Sequence, residues 1–574
     1  MRQFTLAHAA PAAIIHEKEC KNMMQSQNLI RVTRRGRTLL LVLALCGTTT
    51  LVSGAKPDPQ PGEEGAYGAR AAGITLPAPP PKRQPSDGHG PHDLLIIENV
   101  MLVDGEGAPP RGPVDIQIRQ DTIVSIQAPG SAAKLEATAA SSARRIDGNG
   151  MYALPGLIDA HTHIGSPLQG KAGPITPAEY VFKLWLAHGI TTVREVGALN
   201  GLAWTVEQRT RSAANAITAP RIIVHARFPG EQIVTEAAAR SWVRAVKRAG
   251  ADGVKLRGST KAAATGVYLE AQKLGMGTSN HHDQRGVYHT NVLDSARQGL
   301  DSMEHWYGLP EALFTERRIQ DYPSGYNYSD EQWRFGQAGR LWEQAAPPGS
   351  PHWNAVRDEL VALDFTIVPT LTIYEANRDV ARARDASWHD DYTWPALRTF
   401  FQPNPELHGS YHFDWTTADE VAWRGNFRRW MAFLNDYKNA GGRVAVGSDA
   451  GFIYKLFGFA YIRELELLQE AGFHPLEVLQ AATLNGAELL GMADQIGSIL
   501  PGKKADLVLV EEDPIANFKV LYGTGHMRLN RATEQLEQVG GVRYTIKDGV
   551  VFDAKKLLQD VREMVAQAKA RQEN

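Results

Sequence analysis

Between residues 157 and 451, short apolar runs alternate with longer amphipathic stretches, and this alternation constrains the fold more than any other feature of the chain. The runs are LIDAHTH (157–163), GITTVREVG (189–197), RIIVHARF (221–228), DGVKLRG (252–258), MGTSNHH (276–282), DSMEHW (301–306), FTIVPTLTIY (365–374) and RVAVGSDAG (443–451). They have the length and texture of strands, and the stretches between them have helical periodicity. The pattern therefore predicts βα units and a parallel sheet. Eight such units fit an α/β fold of the TIM type, a (β/α)8 barrel with its chemistry at the C-terminal strand ends.

The flanks read differently. DLLIIENVMLVDG (93–105) and VDIQIRQDTIVSIQ (114–127) precede the barrel, and KADLVLVEEDP (504–514) and VRYTIKDGVVFDA (542–554) follow it, all of β type. The expectation is a small β-sandwich assembled from residues 93–153 and 496–555, around a barrel spanning 154–495. The tail 556–574 reads as a charged helix with Leu557, Leu558, Val561, Met564 and Val565 on its apolar side. That face suits docking on the body or an oligomer contact equally well, so homo-oligomerisation is left open. Nine of the twelve tryptophans lie between Trp306 and Trp430. They predict aromatic-rich insertions over about 306–440, forming a helical core, a lid over an apolar pocket, or both.

Ahead of these lies a Pro/Gly-rich linker, residues 56–92, and a leader, residues 1–55. Within the leader, RVTRRGRTLLLVLALCGTTTLVSGA (31–55) has a basic start, an apolar stretch and small residues Ser53 and Ala55. This is the layout of a secretory signal peptide, with Met23 or Met24 a more typical start than Met1. The expectation is export to a bacterial periplasm or beyond, with no stable membrane span in the mature protein. Cys20 and Cys46 both fall in the leader. A metal site in the mature chain must then use histidine, carboxylate or lysine. The formal net charge of −2 gives no reason to expect a nucleic-acid partner.

Candidate ligands sit on the barrel runs. In LPGLIDAHTHIG (154–165), His161 and His163 are two apart, so in a strand they face the same side. Such a pair alone is as readily structural as functional. Its company changes the weighing: His281 ends the fifth run, His305 the sixth and Asp449 the eighth, while Lys255 lies in the fourth. Four imidazoles, a carboxylate and a lysine suit borderline divalent metals, zinc foremost. An ammonium beside a dication would be repelled. A buried neutral amine, however, can take up CO2 as a carbamate, an anion able to bridge two metals.

DAHTHIG, GITTVREVG, DSMEHW, IVPTL, VGSDAG and LQAATLNGAELLGMADQIGSILPGKKADLVLV (479–510) together resemble the metal-dependent amidohydrolase superfamily, in its imidazolonepropionase-like, Xaa-Pro dipeptidase-type branch. The resemblance covers about residues 93–555. It implies two divalent metal ions, most simply zinc. His161, His163 and Asp449 would hold the more buried ion, His281 and His305 the second, and carboxylated Lys255 would bridge them. It also implies Asp449 as the proton shuttle in hydrolysis of an amide C–N bond, in an N-acyl amino acid, dipeptide or related small molecule, by a metal-activated hydroxide.

Alternatives are cyclic amide or lactone hydrolysis, and mononuclear deamination of a heterocycle. Deaminases of the superfamily carry a glutamate three residues after the fifth-strand histidine, where this chain has Gln284, or Arg285 if His282 is the ligand. The register between His281 and His282 stays open. A catalytically silent binding protein is disfavoured because all six ligand positions are filled. Substrate-binding candidates are His225, His282, Tyr288, His289 and Tyr374, each with a structural or surface reading beside the functional one. Arg227 or Arg257 could hold a carboxylate or serve in a surface salt bridge.

Overall fold

The computed structural model describes residues 76–130 and 143–573; the expected signal peptide, and the linker as far as residue 75, lie outside the described residues. Strands β1 (His92–Leu102), β2 (Arg111–Gln120), β3 (Thr122–Gln127), β4 (Arg144–Asp147) and β5 (Tyr152–Pro155) precede the barrel. Alternating Leu95, Ile97, Ile116 and Ile118 give these strands a buried face.

The barrel follows: β6 (Leu157–Thr162), β7 (Ile190–Gly197), β8 (Arg221–Arg227), β9 (Gly253–Arg257), β10 (Gly277–His281), β11 (Ser302–Glu304), β12 (Thr366–Val368) and β13 (Arg443–Val444). These pair in parallel in chain order, from β6 to β13. The ring closes where Ala160 N donates to Val446 O at 2.8 Å and Asp449 N to His161 O at 2.9 Å. Parallel strands covered by helices are buried on both faces, which is why β7 is buried along its whole length.

After the barrel, β14 (Leu507–Val510) pairs with β5, and a hairpin of β15 (His526–Asn530) and β16 (Gln535–Val539) stands apart. β17 (Val542–Lys547) and β18 (Val550–Asp553) then extend the first sheet. That sheet, in the order β18-β17-β14-β5-β1-β2-β3 with β4 beside β1, is built from both ends of the chain. The terminal helix Ala554–Glu573 docks on the body: Leu557, Leu558, Val561 and Val565 are buried, and Lys183 of the helix Ala178–Ala187 donates to Asp560 at 3.1 Å.

The last two strands are much shorter than the apolar runs suggest. The run 365–374 ends as a strand at Val368, and Leu371–Tyr374 is a helical turn. Pro369 lacks an N–H, and Thr370 takes φ +48°, so the chain leaves the sheet there. In the run 443–451 the pairing is irregular beyond Val444, where Gly447 passes the first strand. A Cβ at Gly447 would lie 2.6 Å from Val368 Cγ1 and 2.7 Å from His161 Cβ. Gly447→Ala is therefore expected to cost about 1–3 kcal/mol of stability by overpacking the barrel seam, as read by denaturant unfolding.

The long connections after β11 and β12 carry the aromatic insertions. Trp306, Trp342, Trp353, Trp423 and Trp430 are fully buried. Tyr374 stacks on Trp423 with centroids 5.8 Å apart, and Phe335 on Tyr411 at 4.1 Å. The insertions thus form an aromatic core, and from that core Phe335 and Tyr374 also reach the barrel mouth.

Candidate metal centre and cavity

A cavity of about 460 Å³ opens at the C-terminal strand ends, and His161, His163, Lys255, His281, His305 and Asp449 all line it. Each comes from a different strand or the residues just beyond it except the first two, His161 in β6 and His163 one residue past its end, which face one side because they are two apart in extended chain. Asp449 is the hub. Its Oδ1 lies 3.4 Å from His161 Nε2 and 3.3 Å from His163 Nε2, and its Oδ2 lies 3.6 Å from His305 Nε2. His161, His305 and Asp449 offer ligand atoms within 4.8 Å of one another, a spacing that could hold a metal ion. The His281 and His305 rings are 4.6 Å apart.

The backbone is unusual here. His305 (φ +63°), Thr370 (φ +48°) and Asp449 (φ +48°) all adopt left-handed conformations. Non-glycine residues hold such angles when their surroundings over-determine them, which is common at functional sites. His305 is fixed by Thr370 Oγ1, 2.6 Å from its Nδ1. Thr370 is fixed in turn by Glu464, whose carboxylate accepts from Leu371 N at 2.8 Å and Thr372 N at 2.6 Å. His305 Nε2 is thereby left to face Asp449.

Electrostatics set the protonation states. Burial pushes the His161, His281 and His305 imidazoles down, so they are neutral bases. Burial would raise the Asp449 carboxyl, but the three facing histidines outweigh it and hold it well below the usual range. Neutral imidazole and ionised carboxylate are the forms that bind metal. His163 differs: burial would lower it, yet hydrogen bonds with Asp449 and Glu195 hold it up at about 9, so this position favours positive charge. Burial, then the charge of Arg194, push the Lys255 amine well down toward its neutral form.

The donor set also fits a cation by what it leaves unsatisfied. His161 Nδ1 and His163 Nδ1 are buried and face carboxylates only at long range, Glu304 Oε2 at 3.8 Å and Glu195 Oε1 at 3.7 Å, an uncommon condition in a folded core. Lys255 Nζ abuts Glu304 Oε2.

His281 lines the cavity, whereas His282 turns away and pairs with Ser295 Oγ at 2.9 Å, as strand alternation requires. Of the five substrate-binding candidates, only Tyr374 lines the cavity. His225 is buried inside the barrel, its Nδ1 3.3 Å from Ser279 Oγ, at the level where Gly253 and Gly277 leave it room. The Tyr288 and His289 rings lie 3.7 Å apart, tilted by 38°, in the turn after β10.

Sequence reasoning missed a buried polar layer beneath the cluster. Arg194 of β7 donates to Ser302 Oγ and Glu304 Oε1, both at 3.1 Å, and to Ala160 O. Asp159 accepts from Ser448 N at 2.9 Å and Ser448 Oγ at 2.6 Å, joining the first strand to the last. Glu195 accepts from Ile164 N at 2.6 Å, behind His163. Glu304 and Glu195 stood in the quoted runs beside recognised residues. A charged residue inside an otherwise apolar strand was the signal that could have found them.

The Amidohydrolase family model matches residues 428–552, from the helix before β13 through the return to the flanking sheet. An imidazolonepropionase of Geobacillus kaustophilus is 33% identical over 81 residues, covering 14% of this chain and 17% of that protein. An adenine deaminase of Rhizobium etli is 31% identical over 154 residues, 25% of this chain and 23% of the relative. The chain thus aligns with less than a quarter of the length of these two curated relatives. Among solved structures, an Xaa-Pro dipeptidase with bound methionine matches 80% of this chain and 100% of its own, with TM-score 0.53 and 20% identity. A bottromycin amidohydrolase matches 84% and 91%, with TM-score 0.57 and 18% identity. The fold is that of these proteins, and the amidohydrolase resemblance read from the sequence is borne out.

Proposed function

We infer that this chain, an amidohydrolase by resemblance and by fold, is a metal-dependent hydrolase of amide C–N bonds in small molecules. The observation that carries the reading is Asp449, ionised and within 3.6 Å of three strand-end histidines, in a cavity that Lys255 and His281 also line. His161, His163 and Asp449 would hold one divalent ion and His281 and His305 a second, with Lys255, carboxylated by CO2, between them. Such ions supply a polarised carbonyl and a water acidic enough to react near neutral pH.

The chain's own residues handle the proton. Asp449 is the one carboxylate among the described cavity-lining residues. It accepts the proton as water oxygen bonds to the amide carbon, then delivers it to the nitrogen as the C–N bond breaks. Thr370 keeps His305 in one ring orientation throughout, by its contact with Nδ1. Tyr374, Phe335 and Phe452 exclude water from one wall of the cavity.

Heterocycle deamination is the weaker reading, because Gln284, three residues after His281, is no acid and is engaged with Tyr322 and Tyr326. The test is elemental analysis of the purified protein with a Lys255→Ala variant, followed by assay on N-acyl amino acids and dipeptides. About two divalent ions per chain, falling in the variant, together with amide hydrolysis, is the expected result. About one ion, indifferent to the loss of Lys255, overturns the bridged pair.

A further inference from the structure

The connection after β11 brings to the cavity a polar group that the mechanism above leaves unused. Tyr307, in MEHWYG, lines the cavity and is 5% exposed. Its hydroxyl is buried and has no hydrogen-bond partner among the described residues. Buried hydroxyls have partners as a rule, so one without a partner in a cavity wall points to a ligand atom. The groups that act on it electrostatically are Tyr322, Tyr374, Arg334 and Tyr326. Tyr374 and Arg334 line the cavity themselves, which puts the hydroxyl at its wall.

The polar cavity-lining groups of the insertions are donors or are engaged elsewhere. Arg334 has only donors; its guanidinium meets Glu331 at 2.6 Å and lies over the Tyr328 and Phe335 rings at 4.8 and 4.9 Å. Gln284 is engaged with Tyr322 and Tyr326, and His408 turns to Glu331 at 2.5 Å. Lys171, from the segment after β6, is again a donor. Nor is Tyr307 free to seek a partner. Its ring stacks on Trp306 with centroids 4.5 Å apart, and Trp306 is packed against Tyr374, Trp423 and Trp430. The next residue, Gly308, has φ +92°, and a Cβ there would lie 3.1 Å from His282 Cγ and from Val292 N. The hydroxyl is therefore held in place before any ligand arrives.

The rings around it indicate what body this donor serves. Tyr307, Tyr328, Phe335, Tyr374 and Phe452 all line the cavity. Tyr374 meets His305 edge-on at 5.8 Å and lies 5.9 Å from Phe335, so the aromatic wall starts at the histidine cluster itself. Flat rings pack well against such a wall, offset or edge to face. We propose that Tyr307 is a specificity-determining residue, and that the acyl half of the substrate is a flat aromatic ring bearing an acceptor atom to which the Tyr307 hydroxyl donates. The ring is bonded directly to the scissile carbonyl, because a wall that begins at the cluster leaves no place for a spacer. The proposal rests on the amide-hydrolase reading for the bond beside the ring, and its test separates the two.

The probes are the N-ethyl amides of naphthalene-2-carboxylic acid and of the isomeric quinoline-carboxylic acids, which share one shape and differ by a ring nitrogen that accepts. They are tested with the metal-loaded protein and with Tyr307→Phe, which keeps the ring and removes the hydroxyl. Preference is read in kcat/KM where the amides are cleaved and in calorimetric Kd where they are not. The expected result is that the parent favours the best quinoline amide by about 10-fold over the naphthalene amide, and that Tyr307→Phe erases or reverses this preference. The variant's melting temperature should be unchanged or raised, since it loses a buried group with no partner. A Tyr307-dependent preference in Kd without cleavage of any amide supports the subsite and overturns the proposed bond class. Cleavage with quinoline and naphthalene amides within about twofold in the parent overturns the subsite and leaves hydrolysis standing. A preference that survives in Tyr307→Phe, or a melting temperature lowered by more than about 4 °C, also overturns it, the latter because the hydroxyl then has a structural partner.

Discussion

Replacing Asp449 with asparagine is expected to lower kcat for amide hydrolysis by about 10²–10⁴-fold, with the fold retained. The substitution keeps the side chain's shape and removes both its charge and its capacity to carry a proton. Asparagine suits the position, because Asp449 has φ +48° and asparagine tolerates left-handed backbone better than other non-glycine residues. Alanine would add backbone strain and confuse the two effects. His161, His163 and His305 would also lose the charge they face, so bound metal is expected to fall alongside kcat. Turnover, elemental analysis and thermal melting of the same preparation separate these losses. A variant that keeps kcat within about tenfold of the parent, with its metals bound, removes Asp449 from the proton path.

Glu375→Ala is expected to cost about 3–5 kcal/mol of stability by leaving buried cations unpaired. Glu375 follows the turn that presents Tyr374. Its Oε2 accepts from Lys455 at 2.9 Å, and its Oε1 accepts from Arg463 Nε at 2.9 Å and Nη2 at 2.6 Å. Burial alone would raise its carboxyl, but the charges of Lys455 and Arg463 and their hydrogen bonds outweigh burial and hold it well below the usual range. A carboxyl lower in the folded than in the unfolded chain stabilises fully above its unfolded value, about 4.3 for glutamate. That contribution is lost as pH falls through the folded value. The parent and variant should therefore differ most in denaturant melts above about pH 5, and the difference should shrink progressively as pH falls below about 4 toward the folded value. Because Lys455 lies in the loop that carries Phe452 and Ile453, the variant should also loosen the apolar wall and raise KM.

These two residues mark how legible the chain is. Asp449 could be read because it stands in VGSDAG at the end of an apolar run, where a charged side chain has few structural uses. Glu375 could not, because nothing near it in sequence hints at Lys455 or Arg463, which lie 80 and 88 residues away. His281 and His282 were adjacent and equally plausible on paper; strand alternation, once β10 was placed, turned only the first toward the cavity. Four of the five substrate-binding candidates do not line the cavity, for a related reason. They were chosen by residue type near strand ends, and type says nothing about direction.

The sequence by itself determined the eight βα units, the flanking β segments at both ends, and the six candidate ligands on the strands. Those features are periodic or local: a strand's alternation and length are written in neighbouring residues, and a ligand at a strand end inherits its position from the strand. Only the tertiary structure decided where the barrel seam closes at Gly447, how Arg194 and Glu304 fill the floor, and that the aromatic insertions bring Phe335 and Tyr374 to the barrel mouth. Each of these depends on contacts between residues remote in the chain, whose energies arise from burial and pairing that no single segment contains.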